Sequence, residues 1–263
     1  MNRKTSDATN TPVYADLKGK SAVVTGGSRG IGAATARLLA RNGAKVVVNG
    51  RDQSAIDSVV RYIQSNEGIA IGFAADCTDS DALAKMREKT ESEFGAVEIL
   101  IAFAGGLGNP QSTTKIEEKG WNEIINLNLT AKFLTVKAFL PAMIERRKGA
   151  IVIMSSSAGR LPSQANAAYA CAEAGANMLA KHVANEVGKH NIRVNCVAPS
   201  AIHNERMEKF MSPEQMEQMT QMFPLGRIGE PEDVAQATVF LVSERASWIT
   251  GATLDISGGR IIL

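Results

Sequence analysis

The chain has 263 residues, 44% of them apolar and 21% charged, with a formal net charge of +2. That length suits one large α/β domain with enough apolar material for a sizeable core. The near-neutral balance gives no reason to expect a nucleic acid or an anionic membrane as partner.

Residues 1–16 are polar, lack a signal-peptide core and read as a loose tail. "SAVVT" (21–25) predicts a buried strand. In "IGAATARLLARNGA" Ile31, Ala34 and Leu38 recur at helical spacing, and Gly43 suits the helix end. "KVVV" (45–48) predicts a second strand, followed by a helix to about Gln64. "AIGFAA" (70–75) is a third strand, "DALAKMREKTESEFG" an amphipathic helix, and "VEILIAFAGG" (97–106) a fourth strand. A helix over 121–145 leads to strand "GAIVIMS" (149–155), a helix around Tyr169 and strand "IRVNCVA" (192–198). Residues 200–224 are polar and Met-rich and read as a substrate lid. A helix from Pro231 and a strand near "ATLDI" (252–256) complete the chain.

Strands alternating with helices of this size imply parallel βαβ units with right-handed crossovers. The expectation is a single-domain, doubly wound Rossmann-type α/β fold over 17–263, with about seven strands and helices on both faces. No apolar stretch is expected to be long enough to span a bilayer. Cys77, Cys171 and Cys196 have neither metal-ligand spacing nor a disulfide pattern. Each reads as a small buried apolar residue, and a reducing cytoplasm is the simplest setting.

"TGGSRGIG" (25–32) joins the first strand to the first helix. Gly26, Gly30 and Gly32 let backbone approach a pyrophosphate, and Ser28 and Ile31 sit between them where the helix N-terminus offers free N–H groups. A binder of NAD(H) usually carries an acid at the end of the second strand, for the ribose 2′-OH. Here that end reads "VVVNGRD": Asn49, Gly50, then Arg51. Arg29 and Arg51 offer two guanidinium groups to a 2′-phosphate, which points to NADP(H). The bland alternative is two solvated surface arginines. Asp52 keeps NAD(H) open, should its carboxylate turn inward.

The chain resembles the short-chain dehydrogenase/reductase family from about Leu17 to Gly259. The pieces that carry the resemblance are "VVTGGSRGIG", "AADCTD" (74–79), "INLNLTAKF" (125–133), "IVIMSSSAG" (151–159), "YACAEAG" (169–175), "IRVNCVAPS" (192–200), "GRIGEPEDVA" (226–235) and "WITGATLDISGG" (248–259). Within the family it looks most like the 3-oxoacyl-carrier-protein reductase and glucose-dehydrogenase-like branch, which typically forms homotetramers through two long helices and the C-terminal strand. The resemblance implies hydride transfer between a nicotinamide and a carbonyl or alcohol. It makes Tyr169 the general acid, places Ser156 on the same substrate oxygen, and gives Asn128 a water-mediated proton path. It sets Asp76 and the Cys77 backbone at the adenine, and Pro199 and Ile202 beside the nicotinamide.

Family members assist the tyrosine with a lysine four residues on, whose charge lowers the phenol pKa and whose amine holds the nicotinamide ribose. Residues i and i+4 share a helix face. Here that position is Glu173. A reversed charge a few ångströms away, at an effective dielectric near 20, acts with roughly 3–4 kcal/mol against tyrosinate. Glu173 can still accept from ribose hydroxyls, or be neutral if buried. Where the family has Asn-Asn-Ala-Gly, this chain has Ala102-Phe103-Ala104-Gly105. Ala104 and Gly105 keep the close approach, but the amide that ties neighbouring strands is gone. Ser200 replaces a glycine, and Asn204 stands where a threonine often meets the carboxamide.

Met207, Met211, Met216, Met219 and Met222 offer an adaptable apolar wall, or an ordinary packing face. His203 reads as a solvated loop histidine, and Trp121 and Trp248 as core or interface anchors. Two classes of function follow. One is an NADP(H)-dependent reductase of a ketone or 3-oxoacyl compound, working as a homotetramer or homodimer. The other is a dinucleotide-binding sensor or assembly subunit whose catalysis Glu173 has impaired.

Overall fold

The computed structural model describes residues 14–262. Its sheet has seven strands in the order β3-β2-β1-β4-β5-β6-β7, all parallel. They are β1 Ser21–Thr25, β2 Lys45–Gly50, β3 Ile69–Ala74, β4 Val97–Ala102, β5 Gly149–Met154, β6 Ile192–Pro199 and β7 Thr253–Ile256. The expected doubly wound sheet is therefore present.

Successive side chains of a strand point to opposite faces. Val24 and Val48 pack under α1 (Gly30–Arg41), α2 (Gln53–Ser65) and α9 (Pro231–Val242). Val23 and Val47 pack on the other side, under α3 (Ser80–Phe94), α5 (Ala131–Arg146) and α6 (Ala167–Val187). Both faces are dry, so the strands read as continuous apolar runs rather than alternating ones. Strand order reverses between β1 and β4, and their C-terminal ends diverge into a crevice.

The helix expected over 121–145 is longer and not uniform. It runs from α4 (Glu118–Ile125) through one π-turn (Asn126–Thr130) into α5. Together these make a 29-residue rod that is long and apolar enough to cross a membrane, contrary to the expectation that no stretch is. The reason is that apolar residues face both the sheet and the next helix, and the rod carries buried Asn128 and Lys132 on its inner side. Strand β4 stops at Ala102 rather than 106, because Phe103 and Ala104 turn their N–H groups to a side chain.

Within the segment read as a tail, Tyr14 is buried; its N–H donates to Asn42 Oδ1 at 2.7 Å and Arg245 covers its ring. Residues 1–13 lie outside the described residues. The lid segment forms two short helices, α7 (Glu205–Phe210) and α8 (Pro213–Thr220). Trp248 is 98% exposed and Trp121 half-buried, so neither is a core anchor. Cys77 and Cys196 are buried as expected, but Cys171 is exposed, because it sits on the outer side of α6.

Candidate active site

A cleft of about 910 Å³ opens at the C-terminal ends of the strands. Its floor is the β1–α1 turn. A Cβ on Gly26 would stand 2.7 Å from the Phe103 carbonyl oxygen, so only glycine lets β1 and β4 exit side by side. Gly30 takes φ +48 and has open space where a side chain would be. Gly32 packs its Cα against the Gly26 backbone, which sets α1 close under the turn. Ser28, Arg29 and Ile31 line the same cradle. The N-terminus of a 12-residue helix, glycine-lined and open to the cleft, fits a pyrophosphate.

At the end of β2, Asn49 is buried, and its amide donates to the Phe73 and Ala75 carbonyls at 3.0 and 3.2 Å. Its Oδ1 accepts from the Cys77 thiol at 3.2 Å. Asn49 therefore binds β2 to the β3 exit and reaches the cleft as a lining group rather than a free amide. An added Cβ on Gly50 would lie 2.6 Å from Ser28 Oγ, so a side chain there would have to turn that hydroxyl away. Asp52 caps α2 and pairs with Arg29; its capping N–H bonds, helped by Arg29, hold the carboxyl below the usual range. Asp76 accepts from Thr78 N–H and Oγ at 2.9 and 2.7 Å, and these bonds, with the Arg51 charge, keep it ionised. Burial pushes the Cys77 thiol up to about 11, so it is no nucleophile at neutral pH.

Thr25 ties the exits of β1 and β4 together. Its hydroxyl accepts from Phe103 and Ala104 N–H at 3.1 and 3.3 Å and donates to the Ile101 carbonyl at 3.2 Å. Ala104 and Gly105 are held over the cleft by this and by Asn128. Asn128 sits in the π-turn, accepts from Gly106 N–H at 2.8 Å and donates to the Gly106 and Ile124 carbonyls, both at 3.0 Å. A single π-turn often marks a functional residue, because the extra winding re-aims it.

Tyr169 lies in the first turn of α6. The cap residue Asn166 accepts the Tyr169 N–H at 2.8 Å and donates to the Asn109 carbonyl at 3.0 Å, which fixes where the helix begins. Ser156 follows β5 and accepts from Ala158 N–H at 3.2 Å. Gly159 lets this turn press on α6: a Cβ there would meet the Glu173 carbonyl carbon at 2.5 Å. Ser155 donates to the Glu173 carbonyl oxygen at 2.9 Å. Ser156 thereby reaches the phenol, and Ser156, Tyr169, Asn128 and Glu173 share one cleft. Burial raises the Tyr169 phenol, the Glu173 charge raises it further, and the Ser156 hydrogen bond works the other way.

Glu173 is 2% exposed and is not alone. Lys132, from α5, donates to its Oε2 and Oε1 at 2.8 and 3.0 Å, and is itself 1% exposed. Burial raises the Glu173 carboxyl and the Lys132 ammonium opposes that shift. Lys132 is the residue that reading along the chain misses. Its signal is a lysine one turn after Asn128 on a face that otherwise holds Thr135, Val136, Phe139 and Met143.

On the far wall, Pro199 ends β6 and Ile202 bridges to Gly229. Asn204 caps α7, accepting from Met207 N–H at 3.1 Å and donating to the Ile202 carbonyl at 2.9 Å. Met207, Met211 and Met219 line the cleft. Met216 is half-buried but not part of that lining, and Met222, beyond the end of α8, is 49% exposed. His203 also lines the cleft, half-buried near Glu230, rather than standing free in solvent.

The fold and the cleft together describe a dinucleotide-dependent oxidoreductase. A family described as Enoyl-(Acyl carrier protein) reductase matches residues 26–260. The chain is 36% identical over 248 residues to a Vibrio cholerae protein named 3-oxoacyl-[acyl-carrier-protein] reductase FabG, covering 94% of this chain and all of the other. It is 37% identical over 254 residues to an Eggerthella lenta protein named 3beta-hydroxysteroid dehydrogenase 1, covering 95% and 97%. A crystal structure of a Brucella melitensis 3-oxoacyl-[acyl-carrier protein] reductase with bound NAD superposes with TM-score 0.88 at 28% identity, covering 95% of this chain and 94% of that one. The chain belongs to the short-chain dehydrogenase/reductase family, on the 3-oxoacyl-carrier-protein reductase-like branch, and is an oxidoreductase that uses a nicotinamide dinucleotide.

Proposed function

We propose that the protein is an NADP(H)-dependent reductase of a ketone or 3-oxoacyl-type carbonyl. The observation that carries this is the convergence of Tyr169, Ser156 and Asn128 on one cleft with the glycine cradle. The bound dinucleotide supplies the hydride. Ser156 donates to the carbonyl oxygen and orients it. Tyr169, kept protonated by its burial, gives that oxygen its proton. Asn128, braced on the Gly106 backbone, holds the water path that reprotonates the phenol. Asp76 and the Cys77 backbone take the adenine end, and Pro199, Ile202 and Asn204 border the nicotinamide end.

The preference for NADP(H) over NAD(H) rests on Arg51, on Arg29 and on a β2 end that carries Asn49 and Gly50 rather than an acid. Met207, Met211 and Met219 form the apolar wall that receives the substrate tail. The chain works in the cytoplasm, where its cysteines stay free. It assembles as a homotetramer or homodimer: Phe133 on α5, Met178 on α6 and Leu254 on the edge strand β7 are large apolar residues left exposed. The buried partner of Glu173 weighs for turnover over a protein that only binds a dinucleotide.

The test is NADPH oxidation, followed by absorbance, across a panel of ketones and 3-oxoacyl thioesters, with the Tyr169→Phe variant alongside. Turnover that falls by about 10²–10⁴-fold in the variant is expected from loss of a positioned acid. A flat trace across the panel in a protein that binds NADPH would leave the binding-only reading in its place.

A further inference from the structure

We propose that Lys132 supplies, from α5, the positive charge that other family members place four residues after the tyrosine on α6, with Glu173 as the arm that holds it in the site. The inference rests on the reductase reading above and deepens it.

Three observations carry it. First, the tyrosine helix has not kept a lone reversed charge. Glu173 Oε1 and Oε2 take two of the three ammonium donors of Lys132, at 3.0 and 2.8 Å. The site beside Tyr169 is therefore a neutral pair, not an anion. Second, Lys132 belongs to the reacting cleft rather than to a remote core. It lines that cleft with Tyr169, Ser156 and Asn128, and its stem runs under Gly105, where an added Cβ would lie 4.0 Å from Cε. Third, both charged groups are almost wholly buried. A buried ion pair is poor value for stability, since apolar residues of equal volume commonly serve as well. Two charges taken out of water at the foot of a catalytic tyrosine ask for a role in chemistry.

The division of labour follows. Glu173, one turn after Tyr169, has two acceptor oxygens and no donor when ionised, so it takes ribose hydroxyls where a lysine would give to them. Lys132 favours the ionised form of that carboxylate against its burial and weakens, without abolishing, the field it exerts on the phenol. Lys132 is thus a positioning residue that acts through Glu173. The two substitutions are one change: a lysine moved from α6 to α5, with an acid left to hold its end.

The experiment compares the parent with Lys132→Met, Glu173→Lys and the double variant Lys132→Met/Glu173→Lys, each first shown folded by circular dichroism and thermal melting. The readouts are kcat for a carbonyl reduced by the parent and, independently of turnover, the NADPH dissociation constant by calorimetry. Lys132→Met is expected to lower kcat by about tenfold or more and to weaken NADPH by about threefold or more. Glu173→Lys alone should not exceed the parent, because it buries two ammonium groups together. The double variant has a cation but no ion pair. It should regain most of both losses without regaining the melting temperature, a combination that a purely structural salt bridge cannot produce. A Lys132→Met protein within about twofold of the parent in both readouts would overturn the proposal. So would a folded double variant no better than Lys132→Met, or a Glu173→Lys protein more active than the parent. Should Lys132→Met not fold, the double variant is read against the parent alone: recovery to within about tenfold in kcat and threefold in the dissociation constant supports the inference, and a folded double variant outside both limits overturns it. Should the parent bind NADPH yet reduce nothing, the reductase reading fails, and the dissociation constants alone decide for or against Lys132.

Discussion

Arg29 and Asp52 form an ion pair at the mouth of the cleft, Nη2 to Oδ2 at 2.5 Å, while the other carboxylate oxygen of Asp52 closes the N-terminus of α2. The acid nearest the end of β2 is thus turned to its own helix and to an arginine, not to a ribose. Arg51 lines the cleft, and its charge is felt at Asp76. Arg51→Ala should weaken NADPH by about tenfold, the weight of one charge-assisted hydrogen bond, and leave NADH nearly unchanged. Asp52→Ala, which frees Arg29, should raise the preference for NADPH. Titration of each variant with both nucleotides checks the pair; equal losses for NADPH and NADH in Arg51→Ala would assign the arginine to general steering.

The Tyr169 phenol is raised, first by burial and then by Glu173. Carbonyl reduction uses the protonated phenol, so its rate should show no tyrosine-dependent fall as pH passes 10, the ordinary value. Alcohol oxidation uses the phenolate and should climb over the whole alkaline range. The linkage has the same sign. The unfolded chain loses this proton first, so the stability it contributes is intact below pH 10 and is lost as pH rises beyond. Rate profiles in both directions and melting above pH 10 test this, and a reduction limb falling near pH 7 would contradict it.

Thr25 holds the Phe103 and Ala104 N–H groups at the strand exits. Thr25→Val keeps the shape but strands the Phe103 and Ala104 N–H groups, at a cost of about 1–3 kcal/mol. Thr25→Ser should recover most of that. Urea unfolding measures the cost, and a loss of NADPH affinity should accompany it because Ala104 and Gly105 are held from the same hydroxyl.

Gly105 leaves room for the Asn128 carboxamide, whose Oδ1 would lie 2.7 Å from an added Cβ. Gly105→Ala should therefore displace Asn128 from Gly106 and reduce kcat more than it weakens the nucleotide. A variant with normal kcat would mean that Asn128 serves only the π-turn.

Exposed Phe133 and Leu254 are expected to lie in subunit contacts. Phe133→Glu combined with Leu254→Asp should lower the mass measured by light scattering to that of a smaller assembly. A parent chain that is already monomeric would remove the basis for this.

The alternation of strands and helices, the parallel sheet and the crevice could be read along the chain because each is encoded locally. A fully buried strand needs an apolar run such as 21–25, and a βαβ turn that cradles a phosphate needs glycines where the backbone crowds, as at Gly26 and Gly32. Tyr169, Ser156 and Asn128 are legible only through the motifs the chain shares with its family, and the fold brings the three to one cleft. What Glu173 means could not be read along the chain. Its partner lies 41 residues away on another helix, and α5 and α6 must pack before the two charges meet. Sequence shows that an acid replaces a base; only the packing of two helices brings Lys132 to that acid. A buried charge is intelligible through the group that neutralises it, and that group is chosen in space.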